Sequence, residues 1–235
     1  MNRIRTPKAQ ITCVLVATAL IVAGVAASEG EAQQPVTART VAARVQSFHD
    51  QTRTFEATFH QTYYNRLYNR YDRSHGTLAF GKPGKMRFDY ARPNGKIIVT
   101  DGSQLTMWEP GDAGGAGQYT RSDMASAAIP GAFSFLIGGS RLEEDYTFRL
   151  LSSRAWRFDG HVLELRPRRA DPRYRRVILF VDAHPSRLGV VHTIRIDDHE
   201  GNRNKFELRG MRFNRGISAA RFAWSPPAGA RRIAM

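Results

Sequence analysis

Residues 81–102 read GKPGKMRFDYARPNGKIIVTDG, and this stretch decides the fold. Two turns rich in glycine and proline bracket a short run in which Met86, Phe88 and Tyr90 alternate with polar residues. A second apolar run follows and ends on an Asp-Gly pair. Alternation with a period of two predicts strands with one apolar face, and the turns predict that neighbouring strands are antiparallel.

The same period continues on both sides of this hairpin. Phe55 and Phe59 alternate with polar residues before it, and Leu163 and Leu165 do so after it. With residues 86–90 and the segments that follow, the sequence predicts about eleven strands in all. The other expected strands are 77–80, 96–100, 105–108, 146–151, 161–166, 176–182, 190–197, 205–209 and 221–224. Many short strands, each with one apolar face, predict an antiparallel barrel or a strongly curved sheet around a single interior.

Two segments depart from this period. Val41, Val45 and Phe48 recur at intervals of four and three, which predicts an amphipathic helix within residues 36–52 that begins near Thr37 or Thr40. Residues 122–139 contain a central Pro-Gly pair and predict one or two short helices broken at that proline.

Residues 1–27 predict a secretory signal peptide. Three basic residues precede an uncharged apolar run that ends on small residues, so cleavage is expected after Ala27, with Ala32 as the second choice. An uncleaved membrane anchor is the alternative, because about 17 apolar residues could just span a bilayer. The single cysteine, Cys13, lies at the start of this run, whereas a lipid-modified cysteine would close it.

The rest of the chain is expected to be a flexible N-terminus, residues 28–36, followed by one domain, residues 37–235. Without the signal peptide the chain has 32 Lys and Arg against 21 Asp and Glu, a net charge of +11. Such a charge favours acidic partners such as anionic headgroups, acidic protein patches or nucleic acid. Because no cysteine remains, disulfides, thiol catalysis and cysteine-ligated zinc are excluded.

Motifs that carry chemistry are missing from the sequence. The seven histidines form no H-E-x-x-H pattern, and Ser103 and Ser134 lie outside a G-x-S-x-G frame. The acidic stretch 197–201, DDHEG, lacks the spacing of a calcium loop and indicates a polar hairpin tip. We therefore predict no enzyme, no catalytic residue, no metal and no cofactor; an extracytoplasmic hydrolase with a site drawn from distant residues is a remote alternative.

Residues 63–73, YYNRLYNRYDR, interleave tyrosines with arginines as a stacking platform for nucleic acid would. The expected export from the cytoplasm argues against that ligand. A polyanion-binding protein therefore stays a remote alternative, and we predict no nucleic-acid partner.

Five segments, in order along the chain, resemble the family of periplasmic outer-membrane lipoprotein carriers, LolA. Each is weak alone, and together they cover nearly the whole chain after the signal peptide. They are TFEATFHQ (Thr54–Gln61), GTLAFGKPGKMRFDY (Gly76–Tyr90), RPNGKIIVTDGSQLTMWEP (Arg92–Pro110), FSFLIGG (Phe133–Gly139) and AARFAWSPPAGA (Ala219–Ala230).

This resemblance implies a mainly β fold, an unclosed antiparallel barrel of about eleven strands with a helical lid over an apolar cavity. It implies a monomeric periplasmic carrier that binds lipoprotein acyl chains. Its partners would be an ATP-dependent releasing complex in the inner membrane and an acceptor in the outer membrane. A lipid-binding sensor of envelope stress and a membrane-anchored acceptor share this fold and stay open as alternatives.

The resemblance also implies roles for individual residues. Lys82 stands where the family carries an arginine that anchors the lid, and lysine lacks the planar fork of arginine. The lid residues would be Phe133, Phe135, Leu136 and Ile137. The cavity would be lined by Phe55, Phe59, Met86, Phe88, Tyr90, Leu105, Met107, Leu163, Leu165, Val177, Leu179, Ile194 and Ile196. A cavity wall and a dry core have the same alternating pattern, so both readings of these residues stay open.

Overall fold

The structure, a computed structural model, describes residues 35–124 and 141–234. The described residues from 36 onwards group as one compact unit. The predicted signal peptide and the predicted lid lie outside the described residues and stay predictions from the sequence.

Helices are few and short in the described residues. They are α1 (Ala38–Gln51), α2 (Leu142–Asp145) and 3-10 turns at Asp112–Gly114, Pro185–Arg187 and Ala219–Arg221. The strands are β1 (Thr54–Asn65), β2 (Arg70–Gly81), β3 (Lys85–Tyr90), β4 (Ile97–Asp101), β5 (Gln104–Glu109), β6 (Gln118–Asp123), β7 (Tyr146–Leu151), β8 (His161–Pro167), β9 (Arg176–Val181), β10 (Val191–Asp197), β11 (Arg203–Phe213) and β12 (Arg231–Arg232).

All twelve of these strands belong to one sheet, in the order β12-β6-β5-β4-β3-β2-β1-β11-β10-β9-β8-β7. Neighbours are antiparallel except β12, which runs parallel to β6. The outermost strands, β7 and β12, do not pair with each other in the part of the chain that the structure describes. The prediction of a mainly β, unclosed antiparallel sheet is therefore confirmed.

One face of the sheet, here called the inner face, carries the apolar core. α1 contributes to the same core through Val41, Ala42 and Val45, each at most 1% exposed. The Thr37 hydroxyl accepts a hydrogen bond from the Thr40 N–H at 3.1 Å, which caps the first turn of α1. The predicted helix is confirmed, and of its two predicted starts, Thr37 and Thr40, the structure has Thr37.

The opposite, outer face is covered at both ends of the sheet. Near β9, the loop after β7 brings the Trp156 and Phe158 rings to 5.7 and 5.3 Å from the Phe180 ring. Beyond β5, the segment before β12 places the Trp224 ring 5.8 Å from the Trp108 ring. These coverings explain why apolar residues also occur on the outer face.

Two details of the sequence prediction are wrong, and two of the twelve strands in the described residues were not predicted. The first of these strands, β6, reads QYTRSD, in which no apolar alternation marks a strand, and the second, β12, has only two residues. Residues 122 and 123 end β6 and are not helical; residues 125–139 of that predicted helix lie outside the described part. Residues 221–224 form no strand, because a 3-10 turn ends at Arg221 and the Phe222 ring is buried against the sheet.

Candidate binding cleft

The thirteen predicted cavity residues all lie in, or against, one apolar cluster on the inner face. Eleven of them are buried, and Tyr90 and Met107 are partly buried and pack against the others. The alternating pattern thus identified one face of the sheet. Whether these residues contact lipid stays a prediction.

A cleft of about 430 Å³ opens on this face where β1, β2, β3, β4 and β11 lie side by side. Its apolar lining consists of Met86, Phe88, Tyr90, Ile98 and Phe206. Its polar lining consists of Gln61, Tyr63, Asp72, Ser74, Asn94, Lys96 and Asn204. Burial raises the pKa of the Tyr90 phenol, so this ring stays neutral at physiological pH.

The apolar and polar linings of this cleft follow from a change in the polarity of the inward side chains along the strands. At the α1 end, a row across β2, β1 and β11 is aromatic and consists of Phe80, Phe55 and Phe213. At the other end, the corresponding row consists of Asp72, Tyr63 and Asn204. Inward side chains therefore change from apolar to polar along each strand, and the cleft can hold a ligand that is apolar at one end and polar at the other.

A smaller cavity of about 60 Å³ lies under the C-terminal end of α1. Aromatic rings surround it: the Phe213 ring lies 4.9 Å from Phe48 and 5.0 Å from Phe55, and Phe55 lies 6.0 Å from Phe80. Of the predicted cavity residues, Phe55 and Ile194 line this space. It separates α1 from the sheet, so the helix is not packed tightly along its whole length.

Lys82 also lies at this cavity, in the turn between β2 and β3. Its amine donates hydrogen bonds to the carbonyl oxygens of His49 at 2.6 Å and Asp50 at 3.5 Å, at the end of α1. Burial lowers the pKa of the Lys82 amine, and the nearby Asp50 carboxylate partly opposes this. The residues predicted to be its partners, Phe133–Ile137, lie outside the described part, so the lid contact stays a prediction.

The predicted cavity residues fall into two groups, those that line the larger cleft and those that are buried in close packing. Met86, Phe88 and Tyr90 line the larger cleft. By contrast, Leu163, Leu165, Val177 and Leu179 on β8 and β9 are at most 2% exposed, and these four line neither of the two cavities just described. The β8–β9 side of the inner face is close-packed, and the β1–β4 side is open enough to hold a ligand.

Sequence reasoning missed part of the cleft. Ile98 and Phe206 lie in predicted strands. Each is two positions from another residue of the same face, Thr100 and Leu208 respectively, and this spacing could have placed both on the inner face. The polar lining had no such signal, because Gln61, Tyr63 and Asn204 resemble ordinary surface residues. Their inward direction follows only from the length of β1 and its pairing with β11.

No cluster of three or more His, Cys, Asp or Glu side chains suited to a metal ion occurs in the described residues. Within the same residues, none of the helices has the length and apolar character needed to cross a bilayer.

A sheet with a partly apolar cleft on one face is suited to holding a ligand. Residues 50–225 match the family model described as outer membrane lipoprotein carrier protein LolA. The chain therefore belongs to the LolA family, which is a family of carrier proteins rather than enzymes.

Two relatives that are named as carrier proteins agree with this assignment. An outer-membrane lipoprotein carrier protein of Nitrosospira multiformis is 27% identical over 187 residues, covering 79% of this chain and 84% of that protein. One from Chromobacterium violaceum is 26% identical over 219 residues, covering 92% and 94%. A LolA superfamily protein of known structure from Nitrosomonas europaea is 13% identical, with a TM-score of 0.43, and covers 80% of this chain and 98% of its own.

Proposed function

We propose that this protein carries lipoproteins through the periplasm by holding their acyl chains in the cleft of about 430 Å³. It would receive them from an ATP-dependent releasing complex in the inner membrane and pass them to an acceptor in the outer membrane. The observation that carries this proposal is the change from aromatic to polar side chains along the inner faces of β1, β2 and β11.

Lipoprotein acyl chains must be shielded from water while they cross the periplasm. Each CH₂ group removed from water contributes about 0.8 kcal/mol, so acyl chains cross an aqueous compartment only inside an apolar site. Met86, Phe88 and Ile98 supply such a surface, while Gln61 and Asn204 can hydrogen-bond polar groups where the lipid joins the protein. Binding and release of this kind require no covalent chemistry.

Family membership supports the same conclusion, since the two relatives described above are named outer-membrane lipoprotein carrier proteins. The expected signal peptide at residues 1–27 supports a periplasmic location.

Two neighbouring isoleucines provide a matched test. Ile98 lines the cleft, and Ile97 points to the opposite face of β4, where it pairs with Trp108. A glutamate at 98 would place a carboxylate in the apolar part of the cleft, which is costly unless the charge is paired. We expect Ile98→Glu to lower the affinity for a fluorescent triacylated lipopeptide at least tenfold, and Ile97→Glu to change it less than threefold.

Binding would be measured by fluorescence anisotropy, and folding of each variant by thermal unfolding. Equal binding by wild type and a folded Ile98→Glu variant would show that the cleft is not the lipid site. A depletion strain separates a carrier from a sensor of the same fold. A carrier leaves lipoproteins in the inner membrane when depleted, whereas normal lipoprotein localisation in that strain would favour the sensor.

A further inference from the structure

We propose that residues 64–73, here called the hairpin tip, dock on the surface of an anionic lipid bilayer. This inference goes beyond the carrier proposal, because it concerns a surface on the protein's exterior and a lipid that is not cargo.

The hairpin tip projects beyond its neighbours on one side. β1 and β2 pair along their whole length, from Thr54 with Gly81 to Asn65 with Arg70. β3 ends at its pair between Tyr90 and Gly76, so the last residues of this hairpin extend past β3. The four residues 66–69 that join the strands form the end of the projection.

Large apolar side chains are exposed on this projection. Leu67 is 81% exposed, Tyr68 74% and Tyr71 52%. In the part of the chain that the structure describes, one other large hydrophobic residue is exposed, Val36 at 39%. Three of these four exposed residues lie within five positions and form an apolar end, and an exposed apolar patch of this kind is typical of an interaction surface.

Hydrogen bonds fix the hairpin tip in this shape. The Arg66 N–H donates to the Asn202 side-chain oxygen at 2.9 Å, which ties the turn to the neighbouring β10–β11 turn. The Tyr64 hydroxyl donates to the Asn69 side-chain oxygen at 3.0 Å. The exposure of Leu67 is therefore a property of an ordered turn.

Arginines outnumber carboxylates around the apolar end, where Arg66, Arg70, Arg73 and Arg203 stand beside Asp72, Asp198 and Glu200. Arg70 is ion-paired with Asp72 at 2.8 Å, whereas Arg66, Arg73 and Arg203 have no ion pair with a carboxylate in the described residues. Guanidinium groups bind phosphate oxygens well, and basic residues near an anionic bilayer are attracted to it. An exposed apolar end beside arginines that lack a carboxylate partner matches a bilayer surface, where anionic headgroups border a hydrocarbon interior.

The chemistry favours a bilayer over nucleic acid. The Tyr64 and Tyr71 rings lie 4.7 Å apart and also have arginines over them, Arg203 at 4.9 Å and Arg73 at 5.9 Å. These internal contacts occupy ring faces on which a base would stack. Leu67 is aliphatic and offers no stacking surface, whereas leucine with tyrosine is typical of the boundary between headgroups and hydrocarbon.

The position of the hairpin tip relative to the cleft adds to the argument. Tyr63, which lines the polar end of the cleft, directly precedes the tip. Asp72 belongs both to the tip and to the same lining. Docking of the hairpin tip would thus bring the polar end of the cleft to the bilayer surface.

The test uses the protein purified from the periplasm and vesicles that contain no lipoprotein, so that it stays independent of carrier activity. Sedimentation would compare vesicles of phosphatidylcholine alone with vesicles that also contain phosphatidylglycerol. We expect binding to the anionic vesicles, weakened by raising the ionic strength. Arg66→Gln with Arg73→Gln should lower the affinity about 30-fold, and Leu67→Ser about tenfold.

Matched controls are available in the same chain. Arg53 and Arg215 are exposed near the other end of β1, about 40 Å away along its twelve residues, so Arg53→Gln with Arg215→Gln removes equal charge at a distance. Val36→Ser is the control for Leu67→Ser. We expect each control to retain wild-type affinity within about threefold.

An environment-sensitive dye on Leu67→Cys, the single cysteine of the protein once the signal peptide is removed, should shift its emission to the blue on anionic vesicles. Three results would overturn the proposal. One is equal loss of vesicle binding in the tip and control variants, and another is an unshifted dye. The third is a tip variant that loses binding to a single-stranded oligonucleotide while its vesicle binding stays unchanged.

Discussion

The amine of Lys82 lies 2.6 Å from the carbonyl oxygen of His49. Lys82 belongs to the turn between β2 and β3, and His49 to the last turn of α1. The last carbonyls of a helix lack intrahelical partners and carry partial negative charge, so an ammonium group there is favourable. The contact joins the β2–β3 hairpin to the helix that lies over the small aromatic cavity.

Lys82→Met should weaken this junction. Hydrogen bonds from a charged donor contribute about 1.5–3 kcal/mol, and the partial exposure of Lys82 reduces that, so we expect a loss of about 1–2 kcal/mol in the free energy of unfolding. Urea unfolding is the measurement. Lys85→Met removes the same charge three residues away and should change stability by less than about 0.5 kcal/mol. Equal midpoints for wild type and Lys82→Met would contradict the prediction.

Gly189 places α1 against the loop before β10. Its φ is +86°, and a Cβ there would lie 2.2 Å from the Arg44 carbonyl oxygen of α1. Gly210 also has a positive φ, +59°, but a Cβ added there would have no atom within 4 Å. Its substitution therefore measures the backbone cost without the clash against α1. We expect Gly210→Ala to cost about 1 kcal/mol from the backbone alone and Gly189→Ala at least 2 kcal/mol more, because the helix must move.

Thermal and urea unfolding of the two glycine variants would measure this difference. The added cost at Gly189 should come with weaker hydrogen-exchange protection along α1. If both variants lose the same stability, α1 is not held by this close approach.

Local pattern was enough to predict much of the fold. Met86, Phe88 and Tyr90 on β3 alternate so clearly that both the strand and the direction of its apolar face followed from sequence. Turns with glycine and proline on both sides of β3 then fixed antiparallel pairing. The order of strands in the sheet was not predicted, since a period of two does not say which strands are neighbours.

Other features depend on distant contacts and gave no local signal. β6 has no apolar face of its own and is held by pairing with β5 and β12. The partner of Lys82 could not be predicted, because the end of α1 and the β2–β3 turn lie more than 30 residues apart in sequence. The division of the inner face into a close-packed side and a cleft likewise gave no local signal, because both sides show the same apolar alternation.

A substitution of Phe222 would test the role of the segment between β11 and β12, which covers part of the outer face. Phe222 is 4% exposed, and its ring would lie 3.1 Å from a Cβ added at Gly81 on β2. Phe222→Ala should cost about 3 kcal/mol and expose this segment to limited proteolysis. Ile217→Ala, at a half-buried position of the same segment, should cost less than about 1.5 kcal/mol. Unchanged proteolysis of Phe222→Ala would contradict this role.

Glu164 lies at the centre of an ion-pair network on the outer face of β8. Its side chain is 1% exposed and pairs with Arg149 at 2.7 Å, Arg166 at 2.9 Å and Arg176 at 3.3 Å. Arg176 also pairs with the buried Asp197 at 2.7 Å. Burial alone would raise the pKa of Glu164, but hydrogen bonds from the three arginines together hold it below its ordinary value of 4.5.

This network should make stability depend on acid pH. Because the pKa of Glu164 is lower in the folded protein, the unfolded chain binds more protons as pH falls, so the stabilisation is present above about pH 4.5 and is lost below it. Glu164→Gln leaves three arginines without their central carboxylate and should cost about 2 kcal/mol at pH 7. It should also flatten the decline between pH 5 and pH 3.

Urea unfolding at pH 7, 5, 4 and 3 would measure both effects. Glu207→Gln is the control, because the pair between Lys205 and Glu207 at 3.1 Å has both side chains more than a third exposed. Such surface pairs contribute little, so we expect that variant to follow the wild-type curve within about 0.5 kcal/mol. A wild-type stability that is the same at pH 7 and pH 3, or an equal decline in Glu164→Gln, would show that this network does not set the acid sensitivity of the fold.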